Sequence, residues 1–170
     1  SITTCEGGAI LTHNKKYYEK LLSLRSHGIH KDKKGKNVMD ELGFNYRITD
    51  IQCALGLSQL KKLDGFIKKR QEIIKWYEKE LKGIKGIILP QELPGNYSAW
   101  HIYVIRTKKR SDRNKLLTYL KNNGIGVNFH YPAVYSHPYY RKNGYKNLKL
   151  KNMEEYHNSC ITLPCHTLLT

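Results

Sequence analysis

No stretch of about 18 consecutive apolar residues occurs in the sequence, so no segment of it has the length and apolarity of a bilayer-crossing helix. Ser1 to Gly8 also lack the basic and apolar zones of a signal peptide. Cysteine is sparse: Cys5, Cys53, Cys160 and Cys165 form no CxxC pair, which excludes a zinc spacing or a disulfide framework. Reduced thiols in a cytoplasmic protein are the expectation, and the Asn96-Tyr97-Ser98 match to a glycosylation acceptor is then fortuitous. Acidic residues are scarce, 14 against 30 Lys and Arg, giving a formal charge of +16. Such a surface attracts nucleic acid, anionic lipid or anionic small molecules. The lysines are nevertheless dispersed in pairs such as Lys15-Lys16, Lys61-Lys62 and Lys68-Lys69, with no arginine-rich block and no RNA-binding aromatic signature. A solvated basic surface fits better, and it would still favour a diphosphate-bearing substrate. Repeats and low-complexity segments are missing. So is an initiator methionine, and the abrupt Leu168-Leu169-Thr170 end suggests a fragment holding one domain or pieces of two.

What is present is a mixture of helical and strand patterns. Ala9 to Thr12 is a short apolar run after Glu6-Gly7-Gly8 and predicts a strand. Tyr17, Leu21 and Leu24 predict a helix over 15–26, with Gly28 as its stop, and His30 to Asp40 reads as a polar, lysine-rich loop. Thr49-x-x-Gln52 makes a capping box, with Ile48 and Cys53 placed for a hydrophobic staple. The helix it starts runs to about Leu63, pauses near Asp64-Gly65, resumes from Phe66 through Leu81, and ends at Gly83 and Gly86. Trp100 to Ile105 predicts a strand, Ser111 a cap for a helix carrying Leu116, Leu117 and Leu120, and Ile125 to Phe129 another strand. A tyrosine-rich loop from Tyr131 to Tyr145 precedes a short helix near 153–160 and the strand Ile161-Thr162-Leu163, stopped by Pro164.

Chemistry concentrates in four patterns: Thr3-Thr4-Cys5-Glu6-Gly7-Gly8, Gly43-Phe44-Asn45-Tyr46-Arg47, Gly126-Val127-Asn128-Phe129-His130-Tyr131 and Leu163-Pro164-Cys165-His166. Taken singly, each favours a structural reading: a tight turn at paired glycines, a surface arginine, a satisfied histidine, a packed ring.

Taken in order, they resemble the DegT/DnrJ/EryC1/StrS family of sugar aminotransferases over essentially the whole chain. The runs Arg25-Ser26-His27-Gly28, Asn45-Tyr46-Arg47 and Ala54 to Leu63 are similar to its pseudaminic-acid branch, as is Leu163-Pro164-Cys165-His166. The resemblance implies an α/β fold, the C-terminal part of a fold-type-I transferase that uses pyridoxal 5'-phosphate. It divides the chain into the end of the large domain (1–63), a connecting helix (64–86) and a small α/β domain (87–170). It implies a homodimer with shared active sites. The reaction would move an amino group from glutamate to a UDP-linked 4-keto-6-deoxy-N-acetylhexosamine, with the cofactor as electron sink and a lysine as proton shuttle. In the family that Schiff-base lysine immediately precedes the segment matching Ser1 to Thr4, so the segment alone is expected to be inactive. Asn45 matches a cofactor-binding asparagine that reaches the phosphate of the partner subunit's site, where an amide donor suits a phosphate oxygen. Arg47 stands ready for an anionic substrate group or for a structural ion pair. His130 and Tyr131 match the substrate-binding wall of the sugar-nucleotide pocket. No metal site is expected. Two other readings stand beside this one: a basic α/β nucleic-acid-binding module with steeply salt-dependent affinity, and a non-catalytic homologue of the aminotransferase fold.

Overall fold

The computed structural model describes residues 1–169. The chain forms two compact units, one of residues 2–63 and one from Asp64 onward.

In the first unit, helix α1 (Lys15–Arg25) starts where Asn14 accepts a 3.2 Å hydrogen bond from the Tyr17 amide. It ends through Gly28, whose φ of +67° lets its amide turn back to the Ser23 carbonyl at 2.8 Å. The expected lysine-rich loop is instead an antiparallel hairpin, β1 (Ile29–Lys31) and β2 (Asn37–Met39), in register His30 to Val38. The Asp32 carboxylate makes its turn, accepting from the Lys34 and Lys36 amides at 2.7 and 2.9 Å, with Gly35 at φ +77°. Turn chemistry fixed the register here, and the strands carry no apolar alternation that would announce them. Helix α2 (Asp50–Leu60) has the expected capping box: the Gln52 amide donates to Thr49 Oγ1, and the Thr49 amide donates to Gln52 Oε1. The expected strand at 9–12 does not form. That segment pairs with no other among the described residues, and without partners its backbone groups have no ladder to join.

In the second unit, helix α3 (Leu63–Leu81) already contains Asp64 and Gly65; the helical break falls earlier, at Lys61 and Lys62. Asp64 in the first turn is a helix-favouring carboxylate rather than a breaker. The core sheet is antiparallel, in the order β3 (Ile87–Ile88), β4 (Tyr103–Thr107), β5 (Cys160–Leu163). Strand β4 begins three residues later than expected. On it Tyr103, Ile105 and Thr107 point into the core, while all four residues of β5 are buried. The expected strand at 125–129 reduces to one bridge, in which Asn128 and Thr162 exchange backbone hydrogen bonds at 2.7 and 3.2 Å. Helix α4 (Arg110–Asn122) is capped by Lys109 without a side-chain bond, so Ser111 lies inside the helix and caps nothing. The tyrosine-rich stretch is not a plain loop: it holds a 3₁₀ turn at Val134–Ser136, a single turn α5 (Pro138–Tyr140) and a wide turn at Arg141–Tyr145. Helix α6 (Lys151–His157) follows.

Ile74 of α3, Trp100, Tyr103, Ile105, Val127, Ile161 and Leu163 form the core, with Leu116, Leu117 and Leu120 of α4 packed against it. Each such side chain contributes roughly 1.5–3 kcal/mol on full burial. Helix α3 is also pinned by polar bonds. Arg70 Nη1 donates to the carbonyls of Trp100, His101 and Cys165, and Tyr77 Oη donates to the Pro164 carbonyl at 2.9 Å. The Leu163-Pro164-Cys165 pattern therefore serves as the anchor for α3.

Candidate functional site

Asn45 owes its position to a close backbone approach. Gly43 passes so near Gly28 that a Cβ on either would run into the other's segment. The chain beyond Gly43 is then bonded along the end of α1. His27 donates to the Phe44 carbonyl at 2.8 Å, Phe44 to Leu24 at 2.7 Å and Tyr46 to Arg25 at 3.0 Å. Two patterns that stand apart in sequence, Arg25-Ser26-His27-Gly28 and Asn45-Tyr46-Arg47, thus meet. Lys20 and Ser23 of α1 tighten the same region by bonding the Glu41 carboxylate, which they hold below the usual carboxylate range, the Lys20 bond contributing most.

A cleft of about 870 Å³ opens beside this crossing, lined among others by Glu6, Gly7, Gly8, Asn45, Arg47 and Gln52. Gln52 Nε2 donates to the Glu6 carbonyl at 2.9 Å, so the glutamine of the capping box also fixes the Glu6-Gly7-Gly8 turn. A Cβ on Gly7 would strike Thr4 Oγ1, which explains the glycine there. Arg47 Nε donates to Asn45 Oδ1 at 3.1 Å. The amide oxygen is thereby taken up, and the amide nitrogen has no acceptor among the described residues. An oriented amide donor beside a guanidinium fits the oxygens of a phosphate. The residues present therefore suit the phosphate end of pyridoxal 5'-phosphate. They do not include an amine for its aldehyde, because no lysine lines the cleft.

His130 and Tyr131 lie in the second unit. Their rings meet edge to face, with centroids 4.6 Å apart. His130 is half-buried, its Nδ1 2.8 Å from Thr162 Oγ1, and its carbonyl accepts from Tyr156 Oη at 3.0 Å. Tyr131 is exposed. Thr162 and Tyr156 were not among the sequence candidates. A threonine between Ile161 and Leu163 on a strand is the available signal, since a buried hydroxyl there needs a polar partner. Burial pushes the thiols of Cys160 and Cys165 up, which keeps them protonated and unsuited to nucleophilic work. No group of side chains suited to hold a metal ion occurs among the described residues, and none of their helices is long and apolar enough to cross a membrane.

The fold and the run of patterns define a class. Residues 1–170 match the DegT/DnrJ/EryC1/StrS aminotransferase family, and the chain belongs to it. Among curated relatives it is 37% identical, over 167 residues, to the UDP-4-amino-4,6-dideoxy-N-acetyl-beta-L-altrosamine transaminase of Campylobacter jejuni, covering 97% of this chain and 44% of the relative. Against the Helicobacter pylori protein of the same name the identity is 33% over 170 residues, covering 99% and 45%. The solved structure of Helicobacter pylori PseC, an aminotransferase involved in the biosynthesis of pseudoaminic acid, superposes with a TM-score of 0.91 over 99% of this chain and 46% of that one, at 33% identity. The chain thus spans under half the length of the relatives it matches. The α/β transferase fold and the likeness to the pseudaminic-acid branch are borne out.

Proposed function

We propose that this chain supplies the phosphate-binding edge and part of the sugar pocket of a pyridoxal 5'-phosphate-dependent aminotransferase. Its substrate is a UDP-linked 4-keto-6-deoxy-N-acetylhexosamine and its amino donor is glutamate. The observation that carries the reading is the Asn45 amide, held by Arg47 so that its nitrogen is left to donate at the cleft; family membership over the whole chain supports it. Pyridoxal phosphate, when bound, supplies the electron sink that nitrogen transfer requires. The chain's own groups bind and orient. Asn45 donates to a phosphate oxygen, of the partner subunit's site in a homodimer, and Arg47 adds charge to an anionic group. His130 and Tyr131 offer a polar tip and an aromatic face to the hexose or uracil. Glutamate leaves as 2-oxoglutarate and the keto sugar leaves as the amino sugar. Under this reading residues 1–63 close the large domain, 64–86 connect and 87–170 form the small domain of a cytoplasmic enzyme. The cofactor-bearing lysine then lies outside this chain.

The test uses the full-length protein with glutamate and the UDP-keto sugar, following 2-oxoglutarate and the amino sugar together. Equimolar formation of both is expected. Absence of amination, in protein shown to hold the cofactor, refutes the substrate assignment. An Asn45→Ala variant should weaken cofactor retention by about tenfold, the loss of one charge-assisted hydrogen bond.

A further inference from the structure

We infer that Thr162 is a positioning residue, setting which ring nitrogen His130 presents to the substrate; the inference rests on the proposed role of His130. The hydroxyl of Thr162 lies 2.8 Å from His130 Nδ1. Thr162 itself is 6% exposed and sits on β5, where its backbone amide and carbonyl are both bonded to Asn128 and it stands opposite Val104 in the register with β4. The anchor is therefore a rigid one. From the other side, Tyr156 Oη holds the His130 carbonyl at 3.0 Å, and the Tyr131 ring stands edge-on to the imidazole. The imidazole is thus fixed at its backbone, at one ring nitrogen and along one edge. Nε2 has no partner among the described residues, which leaves it as the polar atom available to a ligand. With Nδ1 engaged by Thr162, the imidazole is held in one orientation and Nε2 is the ring nitrogen left to face a sugar hydroxyl or a uracil carbonyl. Without the hydroxyl the ring is free to flip, and part of the binding energy goes into ordering it again.

The test compares Thr162→Val, Thr162→Ser and His130→Ala in the full-length enzyme, with the UDP-keto sugar as varied substrate. Thr162→Val removes the hydroxyl and should raise KM about five- to tenfold, the worth of one ordering hydrogen bond, with kcat within about twofold. Thr162→Ser restores the hydroxyl and should return KM to near wild type. Side-chain ¹⁵N shifts of His130 should report a hydrogen-bonded Nδ1 in wild type and Thr162→Ser and the loss of that bond in Thr162→Val, a readout that a threonine making no bond to the ring would not move. Should Thr162→Val fail to fold, Thr162→Ala against Thr162→Ser isolates the hydroxyl equally well. Unchanged KM and Nδ1 shift in the hydroxyl-free variant, with His130→Ala impaired, overturns the inference while sparing the role of His130. An unimpaired His130→Ala overturns both.

Discussion

Tyr77 and Tyr103 stack in the core, ring centroids 4.9 Å apart and planes within 10°, yet their hydroxyls have opposite fates. Tyr77 Oη donates to the Pro164 carbonyl at 2.9 Å. Tyr103 is 0% exposed, and its hydroxyl has no hydrogen-bond partner among the described residues. The same change, tyrosine to phenylalanine, should therefore act with opposite sign at the two positions. A buried hydroxyl without a partner costs about 1–3 kcal/mol. Its removal leaves an oxygen-sized gap that forfeits a few contacts of about 0.1–0.2 kcal/mol each. Tyr103→Phe should stabilise the second unit by about 1 kcal/mol, whereas Tyr77→Phe, which strands the Pro164 carbonyl, should destabilise it by about 1 kcal/mol.

Equilibrium urea denaturation of the 170-residue chain measures this directly. Both tryptophans, Trp76 and Trp100, lie in the second unit, so intrinsic fluorescence follows that unit. With a slope of about 2 kcal/mol per molar urea, each midpoint should move by about 0.5 M, up for Tyr103→Phe and down for Tyr77→Phe. Alkaline pH adds a second signature. Burial first, then the nearby Glu78 and Tyr77, push the Tyr103 hydroxyl from 10.0 up to about 12. Its folded value is raised, so the stability this group confers is present below pH 10 and is lost as pH rises from 10 through 12. The advantage of Tyr103→Phe over wild type should accordingly widen across that interval. A destabilised Tyr103→Phe, or a difference that stays flat with pH, would refute the assignment of an unpartnered hydroxyl.

Three other outcomes follow from the same geometry. Arg70→Met removes the donor shared by the Trp100, His101 and Cys165 carbonyls and should cost about 3 kcal/mol in the same urea assay, the upper range for a bond to a charged group. Gly28→Ala meets both a φ of +67° and the Glu41 carbonyl, so hydrogen exchange at the Phe44 and Tyr46 amides should accelerate by about tenfold or more. Glu41 is held low by Lys20 and Ser23, so its support is present above the ordinary carboxylate value and lost as pH falls through the lowered one. Protection of the same amides should fall with acid in wild type and change less in Glu41→Gln.

Features governed by local chemistry were legible before the structure. Thr49 and Gln52 form the capping box, and Gly28 and Gly83 follow helix ends with positive φ because each signal needs only its immediate neighbours, whereas Gly86, expected to end the same helix as Gly83, lies immediately before β3. The hairpin at 29–39 was hidden because its register comes from Asp32 and Gly35 rather than from apolar alternation. Ser111 looked like a cap, but α4 begins one residue earlier, at Arg110, and capping depends on a single position. Ala9 to Thr12 had the composition of a strand without the partner that makes one. For the candidate site, Asn45 and Arg47 were visible as neighbours in a pattern. The bond between them was not, nor were Thr162 and Tyr156, which reach His130 from 32 and 26 residues away.

The two candidate positions share one construction, although they lie in different units. Each presents its side chain from an irregular segment, where a ligand has access. Each of those segments is bonded through its backbone to a regular element: 44–46 to the end of α1, and Asn128 to β5. In each, one polar atom of the side chain is engaged by a neighbour and the other is left without a partner among the described residues. Arg47 engages the Asn45 oxygen and leaves the nitrogen; Thr162 engages His130 Nδ1 and leaves Nε2. An unconstrained asparagine or histidine offers two interchangeable faces and gives up that freedom on binding. One whose orientation is already set gives up little, and it discriminates by hydrogen-bond role as well as by shape. Under the proposed function, the half-engaged state of Asn45 and His130 places the effect of Arg47 and Thr162 in affinity rather than in stability.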